Sequence, residues 1–201
     1  AASDWAAFVV DGLPYLAVAN YKDDGVSSFN TDSTVFSWSG TTFVESQSIP
    51  TEGAKDWEAF VIDGTPCLAL ANQYDGTSSS YNVASKLFRW SGSSFVEFQS
   101  IATIGAFDWE AFVVDGTPYL AVANYKDDGV NSYNTDSTVF SWDGTTFVES
   151  QSIPTKGALD WEAFVIDGTP YLALANYYDG NAYNINSKIF KWDVLGTTFV
   201  E

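Results

Sequence analysis

A chain of 201 residues, 46% apolar and 17% aromatic, is long enough to bury a sizeable core. Its 26 acidic against 8 basic residues give a formal charge of -18, which repels phosphate backbones and anionic lipid, so nucleic acid is not an expected partner. No apolar run approaches the ~18 residues a membrane helix needs, so membrane insertion is not expected either.

The chain opens at Ala1 without a secretory leader and contains no Met, the pattern of a processed or a trimmed chain, which permits an extracellular or cell-surface location. Cys67 stands where Tyr15, Tyr119 and Tyr171 stand in sister segments, so it reads as a packed substitution without a disulfide partner.

Asp4-Trp5 returns as Asp56-Trp57, Asp108-Trp109 and Asp160-Trp161, each step being 52 residues. Asn20, Asn72, Asn124 and Asn176 keep the same step, as do Phe43, Phe95, Phe147 and Phe199. Trp38, Trp90, Trp142 and Trp192 depart only at the last member, where the fourth loop is two residues shorter and Val194-Leu195 restores the register. One domain, 1–201, therefore divides into repeats 1–52, 53–104, 105–156 and 157–201. Repeats one and three differ at 8 of 52 positions and repeats one and two at 23, so the larger module is a pair, 1–104 and 105–201.

Within the second repeat, Trp57 to Ile62 runs into Asp63-Gly64, a type I′ hairpin signal, and Thr65 to Asn72 returns as a second strand. A polar loop from Gln73 to Ser85 leads to a third strand, Lys86 to Trp90. Ser91-Gly92 then turns the chain into a fourth, Ser93 to Ile101. A four-stranded antiparallel sheet of this size cannot bury both faces alone, so successive repeats must stack, as blades do in propellers. The expected fold is an all-β β-propeller of four-stranded antiparallel blades, closed as four blades or forming part of a larger ring or array. Trp38, Trp90, Trp142 and Trp192 are its expected inter-blade plugs.

The run from Asp160 through Trp-Glu-Ala-Phe-Val-Ile-Asp-Gly-Thr-Pro-Tyr-Leu-Ala-Leu-Ala to Asn176, with Ser187 to Trp192 and Phe147 to Thr155, resembles the EAR repeat, also called EPTP or epitempin. The resemblance covers essentially the whole chain. It implies a propeller in a secreted or surface protein that binds other proteins. It also implies that the Asp of Asp-Trp-Glu, here Asp4, Asp56, Asp108 and Asp160, lines a central channel and can help hold Ca2+. A ring of carboxylates repels itself, and a hard cation relieves that repulsion. The competing reading has each Asp capping its own strand turn through backbone N–H groups. Ala6 replaces the Glu of Glu58, Glu110 and Glu162, so a Glu-dependent site is incomplete in the first repeat.

The loops after the second strands supply the expected contact residues: Tyr21, Asp23 and Asp24; Tyr74 and Asp75; Tyr125, Asp127 and Asp128; Tyr177 and Asp179. Phe29, Tyr81, Tyr133 and Tyr183 flank them, and aromatics beside polar groups are what contact surfaces use. The acidic pairs lack EF-hand spacing and read more simply as solvated turns. With no His, one Cys, no phosphate loop and no nucleophile elbow, the chemistry left open is a carboxylate pair of the glycosidase type. Against even that stands symmetry, because every acidic motif is copied two or four times. The expected function is non-enzymatic recognition of a protein or glycan. The alternative is a structural subunit: nothing after Glu201 matches Ser46 to Glu52, which leaves an open sheet edge for head-to-tail assembly into a filament or larger ring.

Overall fold

The computed structural model describes residues 1–25, 28–128, 133–195 and 197–201. Val26, Gly129 and Val130 of the Tyr-Lys-Asp-Asp-Gly-Val loops lie outside the described residues. The chain forms two compact units, Ala1–Ala106 and Phe107–Glu201.

The first unit holds two antiparallel sheets. Sheet one contains β1 (Ala2–Val10), β2 (Leu13–Asn20), β3 (Asn30–Trp38) and β4 (Phe43–Glu52), and sheet two contains β5 (Ala54–Ile62), β6 (Thr65–Asn72), β7 (Ala84–Trp90) and β8 (Phe95–Ala102). The second unit repeats the plan. Sheet three has β9 (Ala106–Val114), β10 (Thr117–Asn124), β11 (Asp136–Trp142) and β12 (Phe147–Pro154), and sheet four has β13 (Ala158–Ile166), β14 (Thr169–Asn176), β15 (Lys188–Asp193) and β16 (Thr198–Val200). In every sheet the strands lie in chain order. The all-β, blade-forming class expected from the repeat is what the chain adopts, with the first and third strands of the second repeat starting three and two residues earlier, and the fourth two residues later, than their turn signals suggested.

The hairpins follow from turn chemistry. Asp11, Asp63, Asp115 and Asp167 sit at φ of 49 to 50° and are followed by Gly12, Gly64, Gly116 and Gly168 at 77 to 83°. Two successive positive φ values define the type I′ turn, whose twist matches that of the strands it joins. A bulge recurs in the outer hairpin: the register slips between Val35 and Phe36, Leu87 and Phe88, and Val139 and Phe140. The extra residue opposite each slip bends the outer strand.

Each unit buries its core between its two sheets. In the first, Ala17 and Ala19 of β2 join Trp57, Leu68, Leu70 and Phe88 of sheet two. In the second, Ala121 and Ala123 join Trp161, Leu172, Leu174 and Phe190. The small side chains leave room for an indole, and the Trp57 Nε1–H donates to Val18 O at 3.1 Å, as Trp161 does to Val122 O. The expected plugs are thus corrected in part. Trp90 and Trp192 do reach the preceding sheet, against Tyr15 and Tyr119 at 5.6 and 5.7 Å. The deepest tryptophans, however, are those of Asp-Trp: Trp57, Trp109 and Trp161 are each 2% exposed. Their copy Trp5 is 54% exposed.

Candidate functional site

Strand alternation decides what the Asp-Trp-Glu motif does. Residues two apart share a face, so Trp109 points away from Asp108 and Glu110. Those two carboxylates reach β13, the inner edge strand of the next sheet, whose N–H groups have no ladder partner on that side. Asp108 Oδ2 accepts from Trp161 N–H at 2.8 Å and Glu110 Oε1 from Ala163 N–H at 2.7 Å. A period of two on one strand reads a period of two on the other. In the first unit Ala6 offers no carboxylate, and the Ala59 N–H donates to Glu58 of its own strand at 3.1 Å. In the second unit Asp108 and Glu110 therefore seal the edge between sheets three and four, which differs from capping their own turn.

The electrostatics match this placement. Burial pushes Glu110 up to about 7, against the pull of the Ala163 N–H, and the nearby Glu162 and Asp160 add to the rise. Asp160 is raised too, by burial and then by Glu162. Among the described residues no three acidic or thiol side chains assemble into a metal-holding group. Asp108 commits an oxygen to Trp161, and no step of the function proposed below passes through an ion.

The loops between β2 and β3, β6 and β7, β10 and β11, and β14 and β15 bring most of the expected contact residues together, as internal ladders within each unit. In the first unit Tyr21 meets Phe29 at 5.1 Å, Phe29 meets Tyr74 at 4.9 Å, and Tyr74 meets Tyr81 at 4.8 Å. Lys55 of sheet two lays its ammonium 3.4 Å from the Tyr21 ring centroid, and burial lowers that amine to about 8. The second unit stacks Tyr125 on Tyr133 at 5.1 Å, Tyr133 on Tyr178 at 4.8 Å, and Tyr178 on Tyr183 at 4.5 Å. Tyr178, and not the expected Tyr177, takes the place of Tyr74. Tyr177 lies at the edge against Tyr183 at 5.2 Å, and these two are 45% and 66% exposed.

The loop carboxylates shape turns. Asp75 accepts from Asn30 Nδ2 at 2.9 Å, Thr77 N–H at 2.8 Å and Ser78 Oγ at 2.6 Å, and the Ser78 and Asn30 bonds hold it far below the usual carboxylate range. Asp179 accepts from the Asn181 and Ala182 N–H groups, both at 2.9 Å, and lies 3.7 Å from Lys156. Asp23 accepts from Gly25 N–H at 2.8 Å. Asp24 turns outward, its side chain 84% exposed beside Lys22. Asp127 is half-buried and Asp128 exposed.

Two devices escape a motif search. Asn72 donates to Ala84 O and accepts from Glu52 N–H, tying the end of β4 to the end of β6, and Asn176 does the same with Asn186 O and Lys156 N–H. The strict spacing of these asparagines was the available signal. Between sheets three and four, below the loops, lies a polar cleft of about 660 Å³ lined by Asn134, Asp136, Lys156, Asp179, Asn184 and Lys188 among others.

Stacked four-stranded sheets with Asp-Gly hairpins, edge-sealing carboxylates and ladder-locked loops define a repeat protein of the β-propeller class. The EPTP domain profile matches residues 42–91, 94–143 and 146–193, and the chain belongs to the EPTP-repeat family. Each matched segment starts at an outer strand and runs through three strands of the next sheet, so the family's unit straddles the sheets. The human thrombospondin-type laminin G domain and EAR repeat-containing protein is 39% identical over 88% of this chain, and human leucine-rich repeat LGI family member 2 is 29% identical over 95%. The chain spans 25% and 31% of the length of those relatives. Among solved structures, an exo-β-1,3-galactanase from Phanerochaete chrysosporium aligns with 98% of this chain and 48% of its own at a TM-score of 0.60 and 11% identity. A mannose phosphorylase from Leishmania mexicana aligns with 98% of this chain and 66% of its own at 0.58 and 11%. At such identities the likeness is one of fold alone.

Proposed function

We propose that this chain is a non-enzymatic, extracellular recognition module that presents the loops after the second strand of each sheet to a protein partner. The observation that carries the reading is the pair of aromatic ladders. They fix adjacent loops against one another before any partner arrives, and preorganised loops lose less conformational entropy on binding. At the end of one ladder Tyr177 and Tyr183 keep large exposed areas, the amphipathic kind of ring that anchors interfaces. Copies of the loop on successive sheets add avidity. Glu58, Asp108 and Glu110 of the motif accept from backbone N–H groups, which argues against their serving as a catalytic carboxylate pair. No described helix is long and apolar enough to cross a membrane. A panel of extracellular protein domains screened by surface plasmon resonance tests the reading. Binding that weakens in Tyr177→Ala and Asp24→Ala supports it, and a panel without any binder removes it. Calcium at Asp4, Asp56, Asp108 and Asp160 is the one cofactor the proposal admits, and calorimetric titration with Ca2+ giving no heat deletes that part.

A second reading rests on Trp5. Trp57 and Trp161 are 2% exposed where the neighbouring sheet of their own unit covers them, while Trp5 is 54% exposed. That face suits a further sheet, supplied by another copy in head-to-tail assembly or by more repeats. Sedimentation at rising concentration that shows only monomer, for wild type and Trp5→Ala alike, removes assembly between copies.

A further inference from the structure

We infer that the cleft between sheets three and four binds a short neutral oligosaccharide, one per chain. The cleft belongs to the repeat geometry, since sheets one and two form its counterpart from Asn30, Asp32, Glu52 and Lys86. Yet the counterpart measures about 200 Å³ against about 660 Å³. Only the larger falls within the ~300–1,000 Å³ typical of small-ligand sites.

The difference has a local cause. In the first unit the Asn30 amide closes the space by donating to Asp75 and Thr77 Oγ1 while accepting from Gly76 N–H. In the second, Asp179 accepts from Asn181 and Ala182 N–H as Asp75 does from Thr77 and Ser78 N–H, but Asn134 donates to the main-chain Asp179 O at 3.2 Å, in a loop two residues shorter. The wider cleft lies beside this shorter loop.

Its lining selects the chemistry. Asp136 and Asp179 balance Lys156 and Lys188, and the lysines already face Asp179 at 3.7 Å and Glu201 at 2.6 Å. An anion therefore finds both ammonium groups already paired. What remains is hydrogen-bonding capacity: the Asn184 and Asn186 side chains and the Lys156 ammonium, with Asp136 holding one oxygen on Ser152 at 2.8 Å. Side-chain amides offer a donor and an acceptor side by side, which fits adjacent hydroxyls of a sugar. Ile185 and Pro154 give the floor a small apolar strip for a ring's C–H face. Tyr183, next in the chain to Asn184, adds an exposed ring. A peptide would instead look for a free strand edge or apolar pockets. The inference adds to the protein-binding reading and does not depend on it.

The test uses the full chain labelled with 15N and follows the side-chain amide signals of Asn184 and Asn186. The probes are cellotriose, xylotriose, mannotriose and N-acetylchitotriose, with a heparin tetrasaccharide and an acidic peptide as contrasting ligands. Expected is saturable movement of those two amides by at least one neutral trisaccharide, at one ligand per chain. The affinity should fall by about tenfold in Asn184→Ala, the worth of one good polar contact, and stay unchanged in Asn82→Ala, the corresponding exposed residue of the second repeat. Failure of all four neutral sugars to move the amides overturns the inference. So does a response to heparin or to the peptide alone, or an Asn184→Ala protein that is folded and binds like wild type.

Discussion

Gln47 of sheet one grips the main chain of Phe95 in sheet two with both ends of its amide: Nε2 donates to Phe95 O and Oε1 accepts from Phe95 N–H, each at 2.8 Å. Gln151 and Phe199 repeat the clasp in the second unit at the same two distances. Phe95 opens β8 straight after the β7–β8 turn, where a free N–H and C=O would otherwise face the neighbouring sheet. Gln47→Ala leaves both unpaired in a part-buried place and should cost about 2–4 kcal/mol, the penalty for two such groups. Gln47→Glu keeps the acceptor but sets an oxygen against Phe95 O, so it should be weaker at neutral pH and partly recover once the acid protonates. Urea denaturation at two pH values reads both effects, and a Gln47→Ala protein within about 0.5 kcal/mol of wild type, the range of ordinary surface changes, would show the clasp to be idle.

The two environments of one repeated residue give a sharper comparison. Trp57 is 2% exposed and donates to Val18 O, whereas Trp5 is 54% exposed. Trp57→Ala should lose about 3–5 kcal/mol by opening a cavity between the sheets. Trp57→Phe should lose about 1–3 kcal/mol, mostly through the stranded Val18 carbonyl. Trp5→Ala should stay under about 1 kcal/mol. Equal costs at positions 5 and 57 would contradict the assignment of the indole as the inter-sheet plug.

That contrast also marks how far the sequence could be read. The 52-residue period and the Asp-Gly pairs located the strands, because a type I′ turn depends only on two adjacent residues. The ladder aromatics were visible as flanking positions for the same local reason. Burial at Trp5 and Trp57 was not legible, since the same dipeptide sits in near-identical local sequence and only the neighbouring sheet differs. Gln47 looked like an ordinary polar residue of an outer strand, because its partner is main chain 48 residues away and main chain carries no sequence signal. Asp108 and Glu110 were recognised as special, but a lone motif cannot distinguish a channel ligand from a seal on the next strand.

Gly53 joins sheet one to sheet two at φ 57°, and a Cβ there would lie 2.8 Å from Tyr74 O and 3.1 Å from Tyr74 N, both main-chain atoms. Gly53→Ala therefore meets positive-φ strain and a clash that no side-chain rotation relieves. It should destabilise by about 2–4 kcal/mol and disturb the Tyr74 ladder. Gly12→Ala shares the positive φ, at 80°, but has nothing within 4 Å, so it should cost only about 1 kcal/mol. Thermal melts of the two variants, with near-ultraviolet circular dichroism as the reporter on the tyrosines, separate the contributions. A Gly53→Ala protein that melts no lower than Gly12→Ala would remove the close approach from the account.

Glu110 makes stability fall with rising pH. Its carboxyl lies at about 7 in the folded chain against an ordinary 4.5, chiefly through burial. Below pH 4.5 both folded and unfolded chains hold the proton, and the group is neutral in its effect. Between 4.5 and about 7 the unfolded chain has released a proton that the folded chain keeps, so unfolding gains on folding as pH rises. Above about 7 the full cost of a buried charge facing Glu162 and Asp160 is present. Glu110→Gln keeps an oxygen for the Ala163 N–H and removes that charge. The variant should match wild type near pH 4.5 and melt higher than wild type above pH 7, with the gap opening across that interval. Asp160, raised by burial and by Glu162, shifts the same way and adds its own share of the slope. Melting curves collected across the interval decide the matter: a variant less stable than wild type above pH 7 would mean that the ionised carboxylate is worth more to the Ala163 bond than its burial costs.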